Sequence, residues 1–303
     1  MHLCNAGMVL SPRQKWELLL SNCMEDDAVE ITMKYFGQRL VGIAPVYRLK
    51  GEGKDVAPIV KPFSGTLMLF ENAVSLLTAG HVISEINAIY DNPDLEVETC
   101  LLIDNLGIEA KHDHPIPFDW KSAAKAFIDE DGLDFGVVSV RWWYVNQLLA
   151  NGVKVVEEEN WAKQHTLPKL DAYFMLGFPE ELNLPQRYDP YAGVMLTPVM
   201  ARLDPIDAIP EGSEMKVPQH PLFVANLRQN LPIESVKGMS GGPIIGMRQD
   251  EKGNLVYWIV ALVRSCVMSE RLVSGCPLPV LGKFLRDEVD KIRAEDAAAT
   301  GQV

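Results

Sequence analysis

Gly238-Met239-Ser240-Gly241-Gly242-Pro243 is the stretch on which the reading of this chain turns. A serine hydroxyl becomes a nucleophile only when a base takes its proton and donors stabilise the oxyanion that follows. Glycines around Ser240 carry no Cβ, so the backbone can turn sharply there and aim N–H groups at a developing negative charge. The base stands far upstream: Thr78-Ala79-Gly80-His81-Val82 follows the apolar run Ala73 to Leu77, which puts His81 just beyond a strand. A third group has to hold the base in one tautomer. Asp134, in Gly132-Leu133-Asp134-Phe135-Gly136-Val137-Val138, starts an apolar strand next to a glycine small enough for close approach. Asp119, Asp129 and Asp131 are rivals, but they stand in a polar stretch where a solvated carboxylate is the plainer reading.

Composition narrows the partners. The 303 residues carry 28 Lys and Arg against 41 Asp and Glu, a net charge of −13. Nucleic acid and anionic membrane surfaces call for a basic face, so neither is expected as a partner. No apolar run reaches the length of a membrane span. Met1 to Val9 have neither a basic start nor a long apolar core, and a cytoplasmic location is expected. Five scattered cysteines (Cys4, Cys23, Cys100, Cys266, Cys276) suit a reducing compartment and free thiols. Cys266 and Cys276 are nonetheless near enough in sequence to bridge. His112 and His114 flank Asp113 in a loop with no further ligand cluster, so no metal is expected, nor any cofactor.

The texture is that of an all-β protein. Short apolar runs at Val41 to Leu49, Gly65 to Phe70, Ala73 to Thr78, Thr99 to Ile103 and Leu133 to Val140 read as strands, with Glu71-Asn72 as a tight turn. A second series covers Ala172 to Gly177, Gly193 to Leu203, Leu222 to Leu227, Pro243 to Met247 and Leu255 to Arg264. A short helix near Trp142 to Gly152 separates the two, and Trp142-Trp143-Tyr144 reads as a core or interdomain anchor. Two runs of strands suggest two antiparallel β-barrels. The expected division is an N-terminal helical extension over residues 1–28, a first barrel over 29–150 with His81 and Asp134, a second over 151–279 with Ser240, and a C-terminal helix and tail over 280–303. Residues 90–131 and 153–169 read as long loops or insertions.

With the motifs in the order His, Asp, Ser, the chain resembles the chymotrypsin/trypsin-like serine peptidases, and in texture their bacterial, disulfide-poor members of HtrA-like and glutamyl-endopeptidase-like type. The resemblance spans roughly residues 41–293, and Leu176-Gly177-Phe178-Pro179 is similar to a turn found early in their second barrel. It implies two six-stranded barrels and an endopeptidase acting on protein or peptide substrates. Ser240 would attack the scissile carbonyl, His81 carry the proton and Asp134 orient His81. The backbone N–H groups of Gly238 and Ser240 would form the oxyanion hole. It also places Glu234 at the floor of a specificity pocket, which would favour Arg or Lys before the scissile bond, with Ala261 and Val263 on one wall. Lys237 and Arg264 lie close enough in the expected fold to neutralise Glu234 or to favour an acidic residue instead.

The chain departs from the family at Met239, where trypsin-like members carry an aspartate that pairs with a freshly cut N-terminus. No such new N-terminus is visible, so regulation would fall to a partner protein or a loop transition. A catalytically silent member used as a binding or regulatory module is the alternative, and an esterase-like acyl hydrolase a third.

Overall fold

The computed structural model describes residues 33–53, 55–104, 115–130, 132–163, 169–183, 186–187, 194, 196–228 and 233–287. The expected N-terminal helix and the His112–His114 pair lie outside them. Their architecture follows from strands whose alternate residues face different cores. In β1 (Leu40–Leu49), Leu40, Ala44 and Val46 enter one apolar cluster while Val41 and Ile43 enter another. That is the period-two consequence of the pleat in a strand covered on both faces.

The first half is a sheet of nine strands. Besides β1 it contains β2 (Ile59–Val60), β3 (Phe63–Phe70), β4 (Ala73–Thr78), β5 (Leu95–Ile103), β6 (Ile116–Phe118), β7 (Lys125–Glu130), β8 (Leu133–Ser139) and β10 (Gln186–Arg187). Its order is β10-β2-β1-β3-β4-β8-β7, with β5 on the other edge of β1 and β6 on β5. Glu71 and Asn72 join β3 to β4 with φ of 45° and 66°, the left-handed pair that a two-residue hairpin requires.

The second half is a closed barrel of six strands in the order β11-β12-β15-β14-β13-β9. They are β9 (Ala172–Gly177), β11 (Val199–Pro205), β12 (Phe223–Leu227), β13 (Pro243–Gln249), β14 (Leu255–Val267) and β15 (Leu272–Pro277). The expectation of two six-stranded barrels is corrected in the first half, where no pairing among the described residues closes the sheet. Its last strand, β7, is half exposed and bears Asp129 and Glu130, a charged edge that discourages further pairing.

Helical pieces accompany the strands, and one of them carries His81. Helix α1 (Gly80–Asp91) follows β4 directly; it buries Val82, Ile83 and Ile86 against the first sheet, and Ile89 is buried as well. Helix α2 (Trp142–Ala150) buries Val145 and Leu148. Trp142 and Trp143 are 66% and 58% exposed, so the expected aromatic anchor is reduced to Tyr144, which stacks edge-on against Phe118. The C-terminal helix begins at 278 and is described to 287. The stretch read as a long loop over 90–131 instead contains β5, β6 and β7.

The two halves share apolar seams. One cluster joins Leu40, Val46 and Val60 to Phe174, Leu176 and Ile245, and another joins Met68, Leu77 and Phe135 to Ile259, Leu262 and Leu278. Strand β10 also crosses from the second half of the chain to pair with β2. Cys100, Cys266 and Cys276 are free thiols. Among the described residues no helix is long and apolar enough to cross a membrane.

Candidate active site

Helix α1 begins with a shortage of acceptors. Its N-cap, Ala79, has no side chain to bond the orphan N–H groups of the first turn, and no acidic residue stands in that turn. The missing acceptor comes from β8, 53 residues later. Asp134 Oδ1 accepts the backbone N–H of His81 at 3.0 Å, and Asp134 Oδ2 lies 2.7 Å from His81 Nδ1. One carboxylate thus caps the helix and holds the imidazole. Asp134 is 4% exposed, and a carboxylate that buried is sustained by such charge-assisted bonds and by the positive helix terminus.

An ionised carboxylate only accepts, so Nδ1 carries the proton, and the neutral ring is left with a bare Nε2. Burial lowers the pKa of His81, but the hydrogen bond and charge of Asp134, with smaller contributions from Asp129 and Glu85, outweigh it and leave the pKa above the ordinary 6.5. The imidazole side chain keeps 37% exposure, open to an incoming group.

Ser240 arrives from the loop between β12 and β13. Gly241 carries the loop in at φ 82°, and a Cβ there would lie 2.6 Å from Ala79 N and 2.8 Å from Ser64 O, and against Thr78 Oγ1. The serine loop therefore sits directly on the turn that precedes His81, which only glycine permits. Gly80 is equally constrained, since its Cβ would run into the Ile128 carbonyl. The Ser240 hydroxyl donates to the Arg264 carbonyl oxygen at 3.1 Å, and no hydrogen bond joins it to His81 among the described residues. The structure thus brings His81 and Asp134 into contact and seats the Ser240 loop beside them, with the hydroxyl turned toward β14.

The backbone N–H groups of Gly238 and Ser240 have no acceptor among the described residues, whereas those of Met239, Gly241 and Gly242 donate to Val236, Val263 and Met239. The expected pocket residues fare differently. Glu234 is exposed, and its own N–H donates to Glu181 Oε2 at 2.8 Å, so it is not a buried floor. Ala261 and Val263 are 0% and 1% exposed and belong to the barrel core, leaving no surface for a pocket wall. Asp129 lies on the exposed edge of β7 and influences His81 only through its charge, Asp119 bonds Ser122, and Asp131 lies outside the described residues. Among the described residues no cluster of His, Cys, Asp and Glu could hold a metal ion.

Sequence reasoning missed the hydroxyls beneath this site. Ser64, fully buried on β3, donates to Gly238 O and accepts from Phe178 N, both at 2.8 Å. Thr78 Oγ1 donates to Ser64 O at 2.7 Å. The available signal was a polar Ser64 and Thr66 inside an otherwise apolar strand.

No family model and no curated protein matches the chain. Among solved structures, similar ones include a scabies mite inactivated protease paralogue, 13% identical with a TM-score of 0.45, covering 84% of this chain and 95% of that one. Protease Anisep from Arthrobacter nicotinovorans is 14% identical with a TM-score of 0.41 over 79% and 90% of the two chains. A Glu endopeptidase is 12% identical with a TM-score of 0.41 over 80% and 89%.

Proposed function

We propose that this chain is a serine endopeptidase of the chymotrypsin-like type, acting on protein or peptide substrates without a cofactor. The observation that carries the reading is the double grip of Asp134 on His81, with the Ser240 loop seated against the turn before that histidine. A helix cap alone would need one carboxylate oxygen; the second fixes a tautomer whose bare Nε2 serves a base.

In this mechanism Ser240 turns its hydroxyl from the Arg264 carbonyl to His81 Nε2. Its oxygen bonds the scissile carbonyl carbon, the proton passes to Nε2, and Asp134 stabilises the imidazolium. The carbonyl oxygen becomes an oxyanion that accepts from Gly238 and Ser240 N–H, each donor worth about 3–4 kcal/mol of barrier. The imidazolium then protonates the leaving amine as the C–N bond breaks. Water repeats the sequence on the acyl-enzyme and frees Ser240. The basic preference expected from Glu234 is not carried forward, because that residue is exposed.

A silent relative is the second reading, favoured by the Ser240 hydroxyl bonding Arg264 rather than His81. Digestion of a proteome-derived peptide library decides between them. An endopeptidase gives new internal cleavages that disappear in Ser240→Ala, and a silent module gives none with either protein.

A further inference from the structure

The loop that supplies the oxyanion donors is tied down by residues outside it, and the ties fall on two consecutive peptide units. Lys237 O accepts the N–H of Glu180 at 2.6 Å. Gly238 O accepts the hydroxyl of Ser64 at 2.8 Å, from the other half of the molecule. In a trans peptide the N–H points opposite to its carbonyl. Holding Lys237 O therefore turns the Gly238 N–H away from Glu180, and holding Gly238 O turns the Met239 N–H away from Ser64, toward Val236 O at 3.0 Å.

Further anchors frame these two. Gly238 has φ 91°, and a Cβ there would lie 2.6 Å from Phe178 O and 2.8 Å from Glu180 N, so the loop lies flat on the segment after β9. Lys237 Nζ pairs with Glu180 at 2.9 Å, and Glu181 Oε2 accepts from the N–H groups of Glu234 and Ser235. Met239 is fully buried in the barrel core, an apolar plug beneath the loop.

We infer that the Glu180 N–H, by holding Lys237 O, sets the Gly238 N–H in the oxyanion-binding orientation, and that Ser64, by holding the adjoining peptide through Gly238 O, keeps that unit from flipping, so that the uncut chain is already competent and needs no activating cleavage. Ser64 is a positioning residue and touches no substrate. The inference rests on the peptidase reading and deepens it.

The test compares the full chain with Ser64→Ala, and with Ser64→Cys as the near-isosteric variant should alanine fail to fold. Three readouts are taken on each: kcat and KM on a cleaved peptide, the affinity of a peptide aldehyde built on that peptide, and amide exchange over residues 237–241. The aldehyde adduct is a tetrahedral hemiacetal whose former carbonyl oxygen occupies the oxyanion position, and so it reports the donors directly. The expected result is a 10–100-fold fall in kcat matched by the same fall in aldehyde affinity, a KM within twofold, and faster exchange. Values of kcat and aldehyde affinity within twofold of wild type would overturn the inference. So would wild-type activity that appears only after the chain is cut, read by intact mass. Should the wild type neither cleave nor bind aldehyde, the peptidase reading fails. Exchange then judges the tie alone, where faster exchange in Ser64→Ala upholds it and unchanged exchange removes it.

Discussion

His81 holds its proton more tightly than an ordinary histidine because the Asp134 carboxylate, its closest charged partner, outweighs the cost of burial. The base must be neutral to accept a proton, so activity rises with pH as His81 deprotonates. The acid limb of a kcat/KM profile on a cleaved peptide is therefore expected above pH 6.5, and a limb below it would deny Asp134 its role. The same raised pKa stabilises the fold below the unfolded value of 6.5, and this contribution fades as pH climbs through the folded value. Asp134→Asn keeps an oxygen acceptor but offers an N–H to the ring. Steady-state kinetics should show a fall in kcat of about 10⁴-fold, the cost of the wrong tautomer.

A second titrating group shares that direction, but here burial itself is the cause. Asp104 is 4% exposed with the Asn151 amide 2.6 Å from Oδ2, and burial raises its pKa to about 6 despite that bond. Its charged form is penalised in the fold, so stability falls as pH rises from 3.8 to about 6 and levels off above that. Asp104→Asn removes the charge, and denaturant melts should show a gain of about 1–3 kcal/mol at pH 8 that vanishes at pH 4.

Among the elements, α1 depends most on distant help. Its apolar residues Val82, Ile83, Ile86 and Ile89 fall on one face, a helical spacing present in the sequence. The usual start signal is absent because the cap is Asp134, not a neighbouring Ser or Asp, so the helix after His81 went unread. Strands β1, β3, β4, β8, β9 and β13 were legible, since each is a clear apolar run closed by turn residues. Strand β15, built on Leu272-Val273-Ser274-Gly275-Cys276-Pro277, hid among small side chains. Gly241 makes the element-scale prediction. Alanine there meets Ala79 N and Ser64 O and sits at φ 82°, so Gly241→Ala should lose at least about 1–3 kcal/mol in thermal or denaturant unfolding and most of the cleavage activity.

At the scale of the whole molecule, the motifs around His81, Asp134 and Ser240 stand out in the sequence because each is a short local pattern. What joins them is set by packing of the two halves, which single-sequence patterns do not encode. The exposure of Glu234 could not be read for this reason: the loop that carries it is held through its backbone N–H by Glu181, from a segment 53 residues away. The inward facing of Ala261 and Val263 is likewise set by packing, since both turn into the barrel core while their neighbour Arg264 presents its carbonyl to Ser240. Apolar clusters across the seam keep the histidine turn and the serine loop in register, with Ser64 as the polar tie between them.

Fluorophosphonate reaction followed by mapping of the modified residue tests most directly whether these parts work as one relay. Wild-type protein should be labelled once, at Ser240, with loss of label in Ser240→Ala and labelling slowed by orders of magnitude in His81→Ala. A folded wild-type chain whose Ser240 reacts no faster than that of His81→Ala would contradict the account.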